Sequence, residues 1–66
     1  MMILRRIANL QPRNMVRLGD DGRLWQVDRL EPGEVDGTFV LHLSRTAGDT
    51  MRLYDLCPDD VIALEP

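Results

Sequence analysis

His42 is the only histidine of this 66-residue chain, and so the one side chain whose ordinary titration falls near neutral pH. Ser44 lies two residues beyond it. A serine–histidine–acid relay needs the hydroxyl aimed at the imidazole and a sharp turn that exposes the nucleophile. In "TFVLHLSR" the two residues are neighbours on a strand and no such turn is present, so His42 reads as a solvated or rim histidine. Cys57, the single cysteine, precedes Pro58 and reads as a small buried hydrophobe rather than a nucleophile. Asp20-Asp21 and Asp59-Asp60 are acid pairs in turn sequences, where carboxylates form turns and cap helices. Neither has the spacing of a calcium loop. One cysteine and one histidine cannot complete a structural zinc site. All eight basic residues are arginine, which removes Schiff-base and phosphate-loop lysines. No catalytic, cofactor-binding or metal-binding residue is expected.

The charges are segregated along the chain. Residues 1–19 carry Arg5, Arg6, Arg13 and Arg17 and no acid, while residues 54–66 carry Asp55, Asp59, Asp60 and Glu65 and no base. Two readings follow: the termini lie side by side and neutralise each other, or each presents a charged face to a partner. The formal net charge of −3 counts against non-specific nucleic-acid binding, which depends on neutralising many phosphates.

Turn sequences recur at short intervals and set the elements that must position these side chains: "NLQPRN", "GDDG", "EPGEVDG", "TAGD" and "CPDD". Between them run short stretches rich in Val, Leu, Ile, Phe and Tyr, the pattern of a small all-β sandwich or barrel. Alternation assigns the faces. Phe39, Leu41 and Leu43 share one, opposite Thr38, Val40, His42 and Ser44. Trp25 and Val27 share another, as do Met51 and Leu53. "CPDD" predicts a single helical turn before the last strand, because proline suits its start and carboxylates its N-terminus. Ile3, Leu4, Ile7 and Leu10 fit either a short helix or an added strand, with the β-branched residues favouring the strand. An added strand would be a natural edge for dimerisation.

The succession from Leu10 to Leu64 resembles the SH3-like five-stranded barrel superfold. "LQPRNMVRLGDDGRLWQVDRL" is similar to the opening of KOW-type and elongation-factor-P-like N-terminal barrels. The resemblance implies one all-β domain over 1–66, with 1–11 as an extension and 12–66 as the barrel. Leu53-Tyr54-Asp55 also resembles a motif of peptide-binding SH3 domains, although there the motif opens the domain. "MRLYDL" with "VIALE" is similar to the ending of plasmid-borne type II dihydrofolate reductases. Arg52 replaces the glutamine of that motif and the chain has no lysine, so the reductase activity is not carried over.

Trp25 is expected in the core with Val27; the competing assignment is a stacking surface, for which the chain has too few aromatics. The expected function is a small non-enzymatic protein-binding module, a regulator or inhibitor. Its contacts are expected at Glu31, Glu34 and Asp36 of "EPGEVDG" and at Asp55, Asp59 and Asp60. The alternative is an RNA-binding KOW-like module using Arg5, Arg6, Arg13 and Arg17 with Trp25. Brevity and all-arginine usage suit a phage or other mobile element of a GC-rich bacterium. The absence of paired cysteines points to a reducing, cytoplasmic setting, and "MMILRRIANL" is too short for a membrane span. A chain this small nets only about 3–5 kcal/mol without a staple, which makes homo-oligomerisation a further expectation.

Overall fold

The computed structural model describes residues 3–19 and 22–65. The β-branched and large apolar residues of each turn-bounded stretch form strands: β1 (Ile3–Arg6), β2 (Met15–Leu18), β3 (Arg23–Pro32), β4 (Phe39–Ser44), β5 (Thr50–Leu56) and β6 (Val61–Glu65). They make one antiparallel sheet in the order β1-β6-β2-β3-β4-β5. The all-β expectation therefore holds in its coarse form. The sheet is not closed: among the described residues, no strand pairs with the free edges of β1 and β5. No helix among those residues is long and apolar enough to cross a membrane.

Of the two readings of the N-terminal stretch, the added strand is the one that forms: β1 is extended, and a single 3-10 turn, Ile7–Asn9, follows it. Its N–H groups tie down the other end of the chain, Ile7 to the Asp60 carbonyl at 2.8 Å and Ala8 to the Pro58 carbonyl at 3.2 Å. The helical turn expected at "CPDD" is replaced by a tight turn. Asp60 N–H bonds to the Cys57 carbonyl at 3.1 Å, and the Asp60 carboxylate accepts from the Cys57 N–H at 2.9 Å. With the Pro58 and Asp60 carbonyls already bonded to residues 7 and 8, the segment does not continue as a helix. Cys57 is exposed on this turn, which corrects its assignment as a buried hydrophobe. Asp20 and Asp21 of "GDDG" lie outside the described residues.

One face of the sheet carries the core. Val16, Val27, Leu41 and Leu43 are at most 1% exposed, joined by Ile7, Leu10, Trp25, Ile62 and Leu64. The alternations of Trp25 with Val27 and of Leu41 with Leu43 thus hold. Residues 1–11 supply two core side chains, Ile7 and Leu10. Leu18, Leu30, Phe39, Met51, Leu53 and Leu56 pack around the rim.

Two irregularities decide what the other face displays. In β3, Val27 pairs with Leu43 but Arg29 pairs with His42, so Asp28 is an extra residue. In β5, Leu53 pairs with Leu41 but Leu56 pairs with Phe39, so two residues, Tyr54 and Asp55, oppose Val40. Each bulge shifts the alternation by one residue. Leu30 and Leu56 thereby reach the core rim, while Glu31 turns to the outer face. Asp55 absorbs its bulge at φ 57°, a left-handed conformation that aspartate tolerates better than most residues.

Candidate functional site

Between the two bulges the outer face of β3, β4 and β5 forms an open groove of about 450 Å³. β3 and the loop after it contribute Glu31, Pro32, Gly33 and Glu34; β4 contributes Val40 and His42; β5 contributes Arg52, Tyr54 and Asp55. Val40, assigned to the polar face by alternation, does lie on that face, yet only 9% of it is exposed. It forms the apolar floor, and Tyr54, 60% exposed, rises beside it.

His42 is held rather than solvated. Its Nε2–H donates to Glu31 Oε1 at 2.5 Å, and its side chain is 14% exposed. Arg29 and Arg52 flank it directly in register from β3 and β5, and the Arg29 guanidinium lies 3.8 Å from the second Glu31 oxygen. The hydrogen bond from His42 holds the Glu31 carboxyl below the usual glutamate range. Partial desolvation opposes this, and the positive charge of His42, Arg29 and Arg52 adds to it. Ser44 is not part of a relay with His42: its hydroxyl donates to Asp28 at 2.9 Å.

The loop after β3 is closed by its own backbone. Gly33 N–H bonds to the Thr38 carbonyl at 2.9 Å, and Thr38 N–H to the Val35 carbonyl at 3.1 Å. A Cβ at Gly33 would meet the Thr38 hydroxyl at 2.5 Å, so a side chain here would displace that hydroxyl from its bond to the Val35 carbonyl. Gly37 turns the loop at φ 83°, a conformation open to glycine at no steric cost.

Of the residues expected to contact a protein, three converge: Glu31, Glu34 and Asp55 all line the groove. Among the described residues, Glu34 and Asp55 form no ion pair, whereas Glu31 is paired with His42 and Arg29. Asp36 is exposed in the same loop but outside the groove lining. Asp59 and Asp60 lie apart, at the turn between β5 and β6. Asp59 faces Arg6 at 4.0 Å, and Asp60 caps its own turn.

The arginines of residues 1–19 do not gather into a phosphate-facing patch. β6 runs between β1 and β2, so the basic and acidic ends of the chain interleave. Arg17 Nε donates to Glu65 at 2.8 Å and its Nη1 to the Gly22 carbonyl at 2.8 Å. Arg5 sits half-buried opposite Ile62. Arg13 occupies the turn before β2 at φ 75°. Trp25 is 8% exposed, and the Arg45 guanidinium lies over its ring, 4.8 Å from the centroid, where a base would otherwise stack. Arg45 is in turn paired with Asp49.

Sequence reasoning missed the pairing of His42 with Glu31, because plain alternation puts Glu31 on the face of Trp25 and Val27. The available signal was the spacing of three in Val27–Leu30 and Leu53–Leu56, where a regular strand would space its apolar residues by two. Comparison of the chain with protein-family models, curated proteins and solved structures returned no match, so its reading rests on its own residues.

Proposed function

We propose that the protein is a small non-enzymatic protein-binding module, acting as a regulator or inhibitor, that takes a basic segment of its partner into the β3–β4–β5 groove. The observation that carries this reading is the convergence of Glu34 and Asp55, both without an ion pair among the described residues, with exposed Tyr54 over the Val40 floor. Tyrosine supplies rigid contact area with an apolar body and a polar tip. The two carboxylates select a cationic side chain, and their exposure favours rapid encounter over deep burial. Arg52, at the same groove, suits an acidic or carbonyl group on the incoming segment.

The fold reading that accompanies this proposal is an SH3-like sheet. It is supported by the order β6-β2-β3-β4-β5, in which the last strand returns beside the first strand after Pro12, with β1 added outside β6.

A photo-crosslinking amino acid placed at Tyr54, with a control at Leu24 on another part of the outer face, tests the function in the native cell. The expected result is a nuclease-resistant protein adduct from position 54, absent from position 24 and lost with Glu34→Gln/Asp55→Asn. A nuclease-sensitive adduct, or equal adducts from both positions, refutes the reading.

A further inference from the structure

We propose that the groove selects a charge spacing: a partner's extended segment sets an acidic residue at Arg52 and, two residues along, a basic residue at Asp55 and Glu34. This rests on the groove reading above and adds the sequence pattern of the segment that the groove takes.

The two ends of the groove differ in charge. At one end Arg29, His42 and Arg52 lie side by side in register on β3, β4 and β5. Glu31 engages two of them, with one oxygen on His42 and the other 3.8 Å from Arg29. Arg52 is exposed and, among the described residues, forms no ion pair. At the other end Glu34 and Asp55 are exposed and likewise unpaired among those residues. Val40 and Tyr54 lie between. An incoming segment that is basic throughout would set a cation against Arg52, so charge complementarity selects one that carries both signs.

The β5 bulge fixes the spacing. Arg52 is opposite His42, while Tyr54 and Asp55 together oppose Val40, two residues away on β4. Two residues of a strand span about 6.7 Å, and an extended segment presents side chains to one side at that same interval. Its basic side chain lays its methylenes on Tyr54 and the Val40 floor and extends its charged head to the carboxylates. Width excludes a helix. β3 and β5 are two strand spacings apart, about 10 Å, and side chains from both narrow the gap. A helix with its side chains is about 10–12 Å across.

The test is the adduct formed in the native cell by a photo-crosslinking amino acid at position 54, with mass-spectrometric sequencing of the partner peptide attached to it. That peptide is expected to carry an acidic and a basic residue two positions apart. Arg52→Gln is expected to lower the adduct about two- to fivefold, the range of an exposed ion pair. Arg52→Lys should retain it and Arg52→Glu should lower it further. Exchanging the partner's acidic residue for arginine should then restore the adduct of Arg52→Glu. Trp25 fluorescence reports whether each variant is folded, and the peptide sequence stands without any variant. An adduct lost with Glu34→Gln/Asp55→Asn but unchanged by Arg52→Glu overturns this proposal and leaves the basic-segment reading in place. A peptide whose opposite charges are three or four apart, the helical interval, or absent also overturns it. No protein adduct at all removes both readings.

Discussion

At the scale of single residues, Trp25 and Glu31 show how one strand serves two faces. Trp25 is an anchor of the core, packed with Val27 and covered by Arg45. Trp25→Ala is expected to cost about 3–5 kcal/mol, as much as a staple-free domain of this size holds in total. Far-ultraviolet circular dichroism of that variant should therefore report a largely unfolded chain at 25 °C. Glu31 contributes through its charge. Its carboxyl titrates lower in the folded protein than in the unfolded chain, because His42 donates a hydrogen bond to the ionised form. The folded state is thus favoured by Glu31 at pH above the ordinary glutamate range, and that contribution is lost as pH falls through the depressed value. Urea midpoints measured across acid pH should fall less steeply in Glu31→Gln than in wild type. Parallel curves would remove Glu31 from the account.

At the scale of elements, the two bulges build the site. The Asp28 bulge keeps Val27 in the core, brings Leu30 to its rim and delivers Glu31 to His42. Deleting Asp28 would remove the extra residue and leave Val27 opposite Leu43 and Arg29 opposite His42, with Leu30 still inward and Glu31 still outward. The deletion is therefore expected to keep cooperative thermal unfolding, losing the hydrogen bond from Ser44 to Asp28 and the local twist that a bulge supplies. A deletion variant that no longer melts cooperatively would show that the bend at Asp28 is itself needed to hold β3 in place. The strands themselves were legible from turn residues and alternation, as the full burial of Leu41 and Leu43 on the face opposite His42 illustrates. The bulges were not, because alternation is a local property and a bulge is set by which residue of the neighbouring strand is opposite. The turn at Cys57–Asp60 carries the same lesson: its residues suit a helical start, and hydrogen bonds from Ile7 and Ala8 hold it as a turn.

At the scale of the whole molecule, the segregated charges are reconciled by topology. β6 lies between β1 and β2, and the opposite charges of the two ends meet as Arg17–Glu65 and Arg6–Asp59. These pairs are exposed and contribute little individually. Arg17→Ala is accordingly expected to lower stability by less than about 1 kcal/mol in urea unfolding. A loss several times larger would mean that its bonds to Glu65 and to the Gly22 carbonyl act as one cooperative unit across β6, β2 and the hairpin turn. The open sheet is the other feature of this scale. With no edge of β5 or β1 covered among the described residues, the molecule keeps two surfaces on which strands can be added.

The sequence by itself determined the all-β class, the strands between the turn sequences, the core face of β4 and that of β3 as far as Val27, and the loop of carboxylates after β3. Those follow from residue type and a period of two, which act within a few residues. Only the tertiary structure decided that Glu31 meets His42, that Glu34 and Asp55 share a groove, and that Arg6 and Arg17 meet Asp59 and Glu65. Each of these is a contact between strands, and its partner is chosen by register and bulge, which no single strand encodes.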